Sequence, residues 1–162
     1  MISEGDTIPD VKLMRAGPDG PEPVTTHELM GQGRTVLFAV PGAYTPTCSA
    51  RHLPGYVDHQ ADFKAKGVDR IVCTAVNDAF VMGAWGEASG VPSDGGGIVM
   101  LADGNAEFAE AMGLSMDGSA YGMGKRSKRY AAVIEDGKVA RLAVEEGGGF
   151  GVSSAEDVLS RL

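Results

Sequence analysis

The sequence contains few cysteines and little positive charge. Only two cysteines occur in 162 residues, too few for the disulfide framework of a small secreted domain. The formal net charge of −8 argues against a nucleic-acid partner, because phosphate binding requires clustered lysine and arginine. The basic residues cluster once, at residues 125–129, and most of them are interpreted as a solvated loop. An acidic protein that concentrates cations in one place can still use one of them at a site.

Long apolar runs are also missing. No stretch approaches the roughly 20 apolar residues that a membrane-spanning helix needs, so we expect no membrane partner. The amino terminus carries acids from Glu4 on and lacks the basic and apolar regions of a secretory signal. These absences predict a cytoplasmic protein. The length and the apolar fraction of 43% suit one globular domain over residues 1–162.

Apolar runs and turn residues predict strands that alternate with helices. Strands are predicted at residues 34–40, 68–76, 98–102, 129–135 and 138–144. Helices are predicted at residues 45–63, with a kink at Pro54, and at 79–88, 106–112 and from 155 onward. The segment up to residue 30 is expected to form a short hairpin and a helical turn, and the glycine runs at 94–97 and 147–149 are expected to be loops. This order predicts an α/β fold with a mixed sheet.

The two cysteines stand in different surroundings. Cys73 lies in an apolar run rich in β-branched residues, typical of a buried strand, and is interpreted as a core residue. Cys48 follows a Pro-Gly loop, and Thr45 as N-cap with Pro46 at the first helical position places it in the first turn of a helix. Free backbone N–H groups and the positive end of the helix dipole favour the nucleophilic thiolate there. We therefore expect Cys48 to be accessible and reactive.

Thr45 occupies the position at which a thioredoxin-type disulfide reductase carries its second cysteine, three residues before Cys48. A hydroxyl group cannot form a disulfide, but it can form a hydrogen bond beside the sulfur. The spacing fits a single attacking thiolate with a polar neighbour. This arrangement suits peroxide reduction, in which the thiolate attacks one oxygen while donors stabilise the departing one.

Residues 41–48, Pro-Gly-Ala-Tyr-Thr-Pro-Thr-Cys, followed by His-Leu-Pro-Gly at 52–55, resemble the signature of type II peroxiredoxins, the group of the mammalian fifth peroxiredoxin and the plant type II enzymes. Similar segments follow in the same order at 73–82, 101–105 and 129–137, so that the resemblance covers most of the chain. It implies a thioredoxin-like fold, a three-layer sandwich with a central mixed sheet. It also implies a thiol-dependent peroxidase that reduces hydrogen peroxide and alkyl hydroperoxides in antioxidant defence and redox homeostasis.

The resemblance assigns roles to four side chains. Cys48 would be the peroxidatic cysteine that becomes a sulfenic acid, Thr45 would hydrogen-bond the peroxide, and Pro41 would shield the sulfur from water. The arginine of the family is carried over to Arg129, whose planar, permanently charged group suits both a thiolate and a peroxide oxygen. Arg126 is the rival for this role in the same basic cluster.

Backbone groups complete the predicted site. The N–H groups of Cys48, Gly42 and Tyr44 are the candidate donors to the substrate. We expect no metal and no cofactor, because His27 and His59 show no metal-ligand spacing with the cysteines.

The resolving step is less constrained by the resemblance. Some relatives carry a resolving cysteine near the carboxyl end, but residues 149–154 contain none here. Plant-like members have a second cysteine at the position of Cys73, which makes it the candidate for a second redox cysteine. Its predicted burial argues against a direct bond with Cys48. We therefore expect an external thiol, either glutathione with glutaredoxin or thioredoxin, to reduce the sulfenic acid.

Two other functions and the oligomeric state stay open at this point. Cys48 can be the oxidised residue of a non-enzymatic peroxide sensor or redox relay. A cysteine hydrolase can use His52, one helical turn after Cys48, as its base, although an exposed helix histidine is the simpler interpretation. The resemblance also implies a homodimer, and Tyr44, Phe80 and Trp85 are either part of its surface or buried against the sheet.

Overall fold

A mixed seven-stranded sheet forms the centre of the computed structural model, which describes residues 1–91, 97–147 and 149–162. The strands are β1 (Lys12–Gly17), β2 (Gly20–Thr25), β3 (Arg34–Ala39), β4 (Arg70–Ala75), β5 (Val99–Ala102), β6 (Ser115–Asp117), β7 (Lys125–Ser127), β8 (Tyr130–Glu135) and β9 (Lys138–Val144). Their order in the central sheet is β2-β1-β5-β4-β3-β8-β9. Strands β3, β4 and β5 are parallel neighbours, and the remaining pairs are antiparallel.

Helices connect the strands and cover both faces of the sheet. They are α1 (Thr26–Met30), a π-helical turn (Cys48–His52), α2 (Leu53–Asp58), α3 (Gln60–Ala65), α4 (Ala79–Ala88), α5 (Glu107–Ala111) and α6 (Ala155–Ser160). Within residues 1–91, 97–147 and 149–162, no helix has the length and apolar character needed to cross a membrane. The glycine loops predicted at 94–97 and 147–149 fall partly outside this described chain.

The core lies in two layers because successive residues of a strand point to opposite faces of the sheet. On one face, Phe38 of β3 and Cys73 of β4 pack with Tyr56, Phe63 and Trp85 from α2, α3 and α4. The other face is covered by α1, α5 and the amino-terminal segment. Its buried residues include Ile8, Met30, Leu37, Val72, Leu101, Phe108, Met112 and Ile134. The predicted three-layer α/β sandwich with a mixed sheet is confirmed.

The helical region after β3 differs from the predicted single helix with a kink at Pro54. The Leu53 N–H bonds to the Cys48 carbonyl five residues back, which widens the turn before the proline into a π-helix. Pro54 itself sits near the start of α2, where its missing N–H costs little. The regular helix ends instead at His59, whose φ of −105° and ψ of 13° separate α2 from α3.

The basic segment at residues 125–129 is not simply the predicted solvated loop. Lys125–Ser127 forms β7, which pairs with β6 in a separate two-stranded antiparallel sheet. Both strands are short and polar, so no apolar alternation in the sequence marks them. Arg129 follows this small sheet in the chain and immediately precedes β8. The small sheet therefore helps to fix the position of the Arg129 backbone.

Candidate active site

Hydrogen bonds fix the conformation of the loop after β3. One bond joins the loop to another segment of the chain, and another lies within the loop. The Ala43 N–H donates to Oδ1 of Asn77 at 2.9 Å, which ties the loop to the end of β4. The Thr45 N–H donates to the Gly42 carbonyl at 3.4 Å. Tyr44, between them, adopts a left-handed φ of 63° and leaves its side chain exposed. This loop forms one wall around Cys48.

The Thr45 hydroxyl faces the loop rather than capping the helix. It donates to the Gly42 carbonyl at 2.7 Å, so the predicted N-cap bond to a helix amide is not the one it makes. The helix nevertheless begins at Pro46, as predicted. Since the only proton of the hydroxyl is used by Gly42, the free lone pairs of the oxygen can accept a hydrogen bond from a ligand.

Cys48 begins the π-helical turn, and its side chain is fully buried, with 0% of its surface exposed. It belongs to the same apolar cluster as Leu53 and Tyr56, which occupy the sheet-facing side of the helix. The expectation that Cys48 is exposed is therefore wrong. The sulfur points inward from the first turn because this side of the helix packs on the sheet.

Arg129 reaches the sulfur from the start of β8. Its Nη2 donates to Sγ of Cys48 at 3.0 Å, and its Nη1 donates to Nδ1 of His52 at 2.7 Å. The rival Arg126 turns elsewhere, since its Nε donates to the Met123 carbonyl at 2.8 Å. The structure thus brings Cys48 and Arg129 together, 81 positions apart in the chain, whereas Arg126 lies in β7 and bonds to the Met123 carbonyl.

His52 is a buried part of this site and not the exposed helix residue that was expected. An arginine can only donate, so Nδ1 must be the unprotonated ring nitrogen, and Nε2 carries the proton that bonds to the Ser153 carbonyl at 3.0 Å. Burial, and next the charge of Arg129, lower the pKa of His52 from 6.5 to about 3. Because both nitrogens are engaged, the ring is poorly placed to act as the base of a hydrolase.

The loop that precedes α6 closes the site from the other side. The Phe150 ring lies 5.0 Å from the His52 ring, edge to face, and the Arg129 guanidinium lies 5.9 Å from the centre of the Phe150 ring. The Glu145 carboxylate accepts from the Gly151 N–H at 2.7 Å and from both the N–H and the hydroxyl of Ser153. Although burial opposes ionisation of Glu145, these hydrogen bonds together lower its pKa.

Cys73 is fully buried in β4, beside Phe38 of β3 in register. Burial, and secondarily the charge of Cys48, raise the pKa of the Cys73 thiol well above its ordinary value. The interpretation of Cys73 as a core residue is confirmed. At neutral pH it is a protonated thiol inside the sheet, which is a poor nucleophile.

Several residues of the site were missed in the sequence. His52 was placed one helical turn after Cys48 but was expected to be exposed. Asn77 lay in a segment similar to the family without an assigned role, and Ser153 and Phe150 carried no recognisable motif. A signal for His52 was present, because positions 48, 52, 53 and 56 recur with helical spacing and three of them are apolar or aromatic. The N–H groups of Gly42 and Tyr44 stay predictions as substrate donors. What the structure shows of Gly42 is its carbonyl, which accepts from Thr45.

The metal-ligating side chains do not gather anywhere in the described chain. Within residues 1–91, 97–147 and 149–162, no group of three or more His, Cys, Asp or Glu side chains is arranged to hold a metal ion.

Known proteins resemble this chain over nearly all of its length. A family model described as Redoxin matches residues 3–159. Peroxiredoxin-2E-2, chloroplastic, of Oryza sativa subsp. japonica is 48% identical over 99% of this chain and 72% of the relative. Peroxiredoxin-2B of Arabidopsis thaliana is 41% identical over 99% of this chain and 98% of the relative.

A solved structure shows the same fold at similar identity. Reduced Prx3 in complex with H2O2 from Vibrio vulnificus superimposes with a TM-score of 0.93, at 48% identity, over 99% of both chains. The chain therefore belongs to the redoxin family and is a peroxiredoxin of the type II group, a thiol-dependent peroxidase with a thioredoxin-like fold.

Proposed function

We propose that Cys48 is the peroxidatic nucleophile and that it reduces hydrogen peroxide and alkyl hydroperoxides. The observation that carries this proposal is the hydrogen bond of 3.0 Å from Arg129 Nη2 to Cys48 Sγ. A permanently charged donor at this distance forms a strong, charge-assisted hydrogen bond with the sulfur. Cys73 lies inside the sheet and burial raises the pKa of its thiol, so Cys48 is the better nucleophile of the two.

Thr45 and Arg129 complement a bound hydroperoxide. The peroxide oxygen that bears the proton donates a hydrogen bond to the hydroxyl oxygen of Thr45. This hydroxyl oxygen has free lone pairs because its own proton is donated to the Gly42 carbonyl. The Cys48 thiolate attacks the terminal oxygen, an S–O bond forms and the O–O bond breaks. The leaving alkoxide or hydroxide develops negative charge, which the guanidinium of Arg129 stabilises until a proton is taken up. Cys48 is left as a sulfenic acid, and the products are an alcohol or water.

Pro41 protects this reaction from solvent. It is half-buried at the start of the loop that holds Thr45, and its ring offers neither a donor nor a charge to water. A site that excludes water strengthens the interaction between the guanidinium and the developing charge. We assign to Pro41 this shielding role.

An external thiol recycles the sulfenic acid. Cys48 and Cys73 are the only cysteines of the chain, and Cys73 is buried in β4 with a raised pKa. The loop at residues 149–154 carries no cysteine. A second nucleophile must therefore come from outside, and glutathione with glutaredoxin or thioredoxin are the candidates.

A homodimer and a cytoplasmic location complete the proposal. Tyr44, in the loop that holds Thr45, and Phe80, at the start of α4, expose 56% and 74% of their surfaces, as residues of a self-association surface would in the separate subunit. Trp85 is buried against the sheet and does not belong to that surface. The location rests on the sequence alone.

Consumption of hydrogen peroxide and of an alkyl hydroperoxide, with glutathione and glutaredoxin or with thioredoxin supplied, tests the proposal. Cys48→Ser should abolish consumption of both peroxides, and Thr45→Val should slow it while the fold persists. Repeated turnover separates the enzyme from a peroxide sensor, which would be oxidised once and stop. Undiminished consumption by Cys48→Ser contradicts the assignment.

A further inference from the structure

Arg51 is an exposed cation fixed at the edge of the site. It belongs to the same π-helical turn as Cys48 and immediately precedes His52. Its guanidinium lies over the Phe150 ring, 4.7 Å from the ring centre. The same ring contacts His52 and lies within 6 Å of the Arg129 guanidinium. Phe150 thus holds Arg51 next to the reactive centre instead of leaving it free in solvent.

The charge of Arg51 is not neutralised by the described chain. Across residues 1–91, 97–147 and 149–162 its guanidinium forms neither a hydrogen bond nor an ion pair, and its one recorded contact is the Phe150 ring. The Glu145 carboxylate, which anchors the loop that carries Phe150, is occupied by Gly151 and Ser153. In a chain with a net charge of −8, an uncompensated cation beside the nucleophile would attract an anionic ligand.

The shape of the Arg51 guanidinium indicates which kind of anion it would bind. The Arg51 guanidinium lies over the Phe150 ring, and its planar set of N–H groups matches the two oxygens of a carboxylate. Peroxides that are neutral gain nothing from such a contact. The second substrate of the cycle, the reducing thiol, can gain from it if it carries a carboxylate.

We propose that Arg51 binds the carboxylate of a small anionic thiol and so selects the reductant of the Cys48 sulfenic acid. This inference rests on the proposed function of Cys48. The thiolate of the reductant attacks Sγ, an S–S bond forms, the S–O bond breaks, and the hydroxyl leaves as water after taking up a proton. A second molecule of thiol then attacks the mixed disulfide, which releases Cys48 as a thiolate and a symmetrical disulfide of the reductant.

The test follows the two half-reactions separately. Reduced protein is first oxidised with one equivalent of hydrogen peroxide, and the Cys48 sulfenic acid is verified by mass spectrometry. The oxidised protein is then mixed with glutathione, which carries carboxylates, or with 2-mercaptoethanol, which is neutral. Formation of the mixed disulfide at Cys48 is timed by acid quenching. Arg51→Ala is compared with Arg161→Ala, which removes one positive charge from the exposed end of α6.

Arg51→Ala should lower the rate with glutathione roughly tenfold, and Arg51→Glu should lower it further. The rate with 2-mercaptoethanol, the rate of peroxide oxidation and all rates of Arg161→Ala should stay near those of the wild type. Equal slowing with both thiols, or no slowing with either, overturns the proposal for Arg51. The proposal is also overturned if thioredoxin, but not glutathione, reduces the Cys48 sulfenic acid of the wild type. A wild type that forms no Cys48 sulfenic acid contradicts the proposed function instead.

Discussion

Nη1 of Arg129 donates a hydrogen bond to Nδ1 of His52 at 2.7 Å, and this contact orients the guanidinium whose Nη2 reaches the Cys48 sulfur. An arginine side chain has many rotatable bonds, and a second anchor reduces the number of positions that it can occupy. His52 is itself anchored by the Ser153 carbonyl. The donor to the sulfur is thus positioned by a chain of contacts that ends in the loop before α6.

Replacement of His52 should slow the oxidation of Cys48. His52→Ala removes the acceptor for Arg129, and loss of a hydrogen bond to a charged group costs about 1.5–3 kcal/mol, or roughly ten- to a hundredfold in rate. His52→Asn keeps an acceptor near the position of Nδ1 and should recover part of the rate. Stopped-flow oxidation by hydrogen peroxide measures both variants, with His59→Ala, at a half-buried histidine paired with Asp62, as the control.

Equal rates for His52→Ala and His52→Asn, with circular dichroism showing both folded, would argue against a positioning role. The interpretation of His52 as an exposed helix histidine predicted little effect of its loss. The burial and the contact with Arg129 reverse that expectation.

The buried His52 should also make stability depend on pH. Its folded pKa of about 3 lies below the unfolded value of 6.5, so the unfolded chain binds the proton more readily between these values. The stability contributed by neutral His52 is present above the unfolded pKa and is lost as the pH falls towards the folded pKa. Between about pH 7 and about pH 5 the loss should be about 2 kcal/mol. Urea unfolding of wild type and His52→Asn measures it, and parallel curves for the two proteins would rule out His52 as the source.

Glu145 should be important for stability although it does not touch the sulfur. Its carboxylate accepts three hydrogen bonds that hold the loop with Ser153 and Gly151. Glu145→Gln puts a donor where an acceptor is needed and should destabilise the protein by about 1–3 kcal/mol. Glu146→Gln, at the exposed neighbouring position, is the matched control and should change little. Equal unfolding free energies for the two variants would contradict this account of the loop.

Two elements of the fold could be predicted from local sequence patterns. The hairpin of β8 and β9 followed from its Asp-Gly turn, where Asp136 and Gly137 adopt φ values of 50° and 80°. The helix Ala79–Ala88 was predicted with these bounds after the turn residues Asn77 and Asp78, and the structure shows that the Asp78 side chain accepts from the Val81 N–H as an N-cap. These features depend on a few neighbouring residues, so local patterns were enough to predict them.

Long-range features needed the structure. The pairing of Arg129 with Cys48 was predicted through the resemblance to the family and not from spacing, because 81 positions separate them. The burial of Cys48 and His52 depends on which side of a π-helical turn faces the sheet, and a π turn shifts the helical period that the pattern assumes. The contacts of Ser153 and Phe150 with His52 join distant loops that have no common motif.

Cys73 should be dispensable for the peroxidase cycle. It is fully buried and its thiol pKa is raised, so it does not compete with Cys48 for peroxide. Cys73→Ala should leave both the oxidation of Cys48 and turnover with an external thiol close to wild type, with a modest loss of stability from the smaller side chain. Peroxide consumption and urea unfolding check the two parts. Loss of turnover with every reductant would show that Cys73 takes part in the cycle.

The most direct measurement is the rate constant for sulfenic acid formation at Cys48 in Arg129→Lys and Arg126→Lys, both in a Cys73→Ala background. Lysine keeps the charge but carries its donors on one nitrogen and cannot reproduce the planar fork whose Nη1 and Nη2 reach His52 and the sulfur, so Arg129→Lys should be slower by roughly a hundredfold. Arg126→Lys changes a residue of β7, and its rate constant should remain near the wild-type value. Rates that are the same for the two variants would contradict the claim that Arg129 activates Cys48.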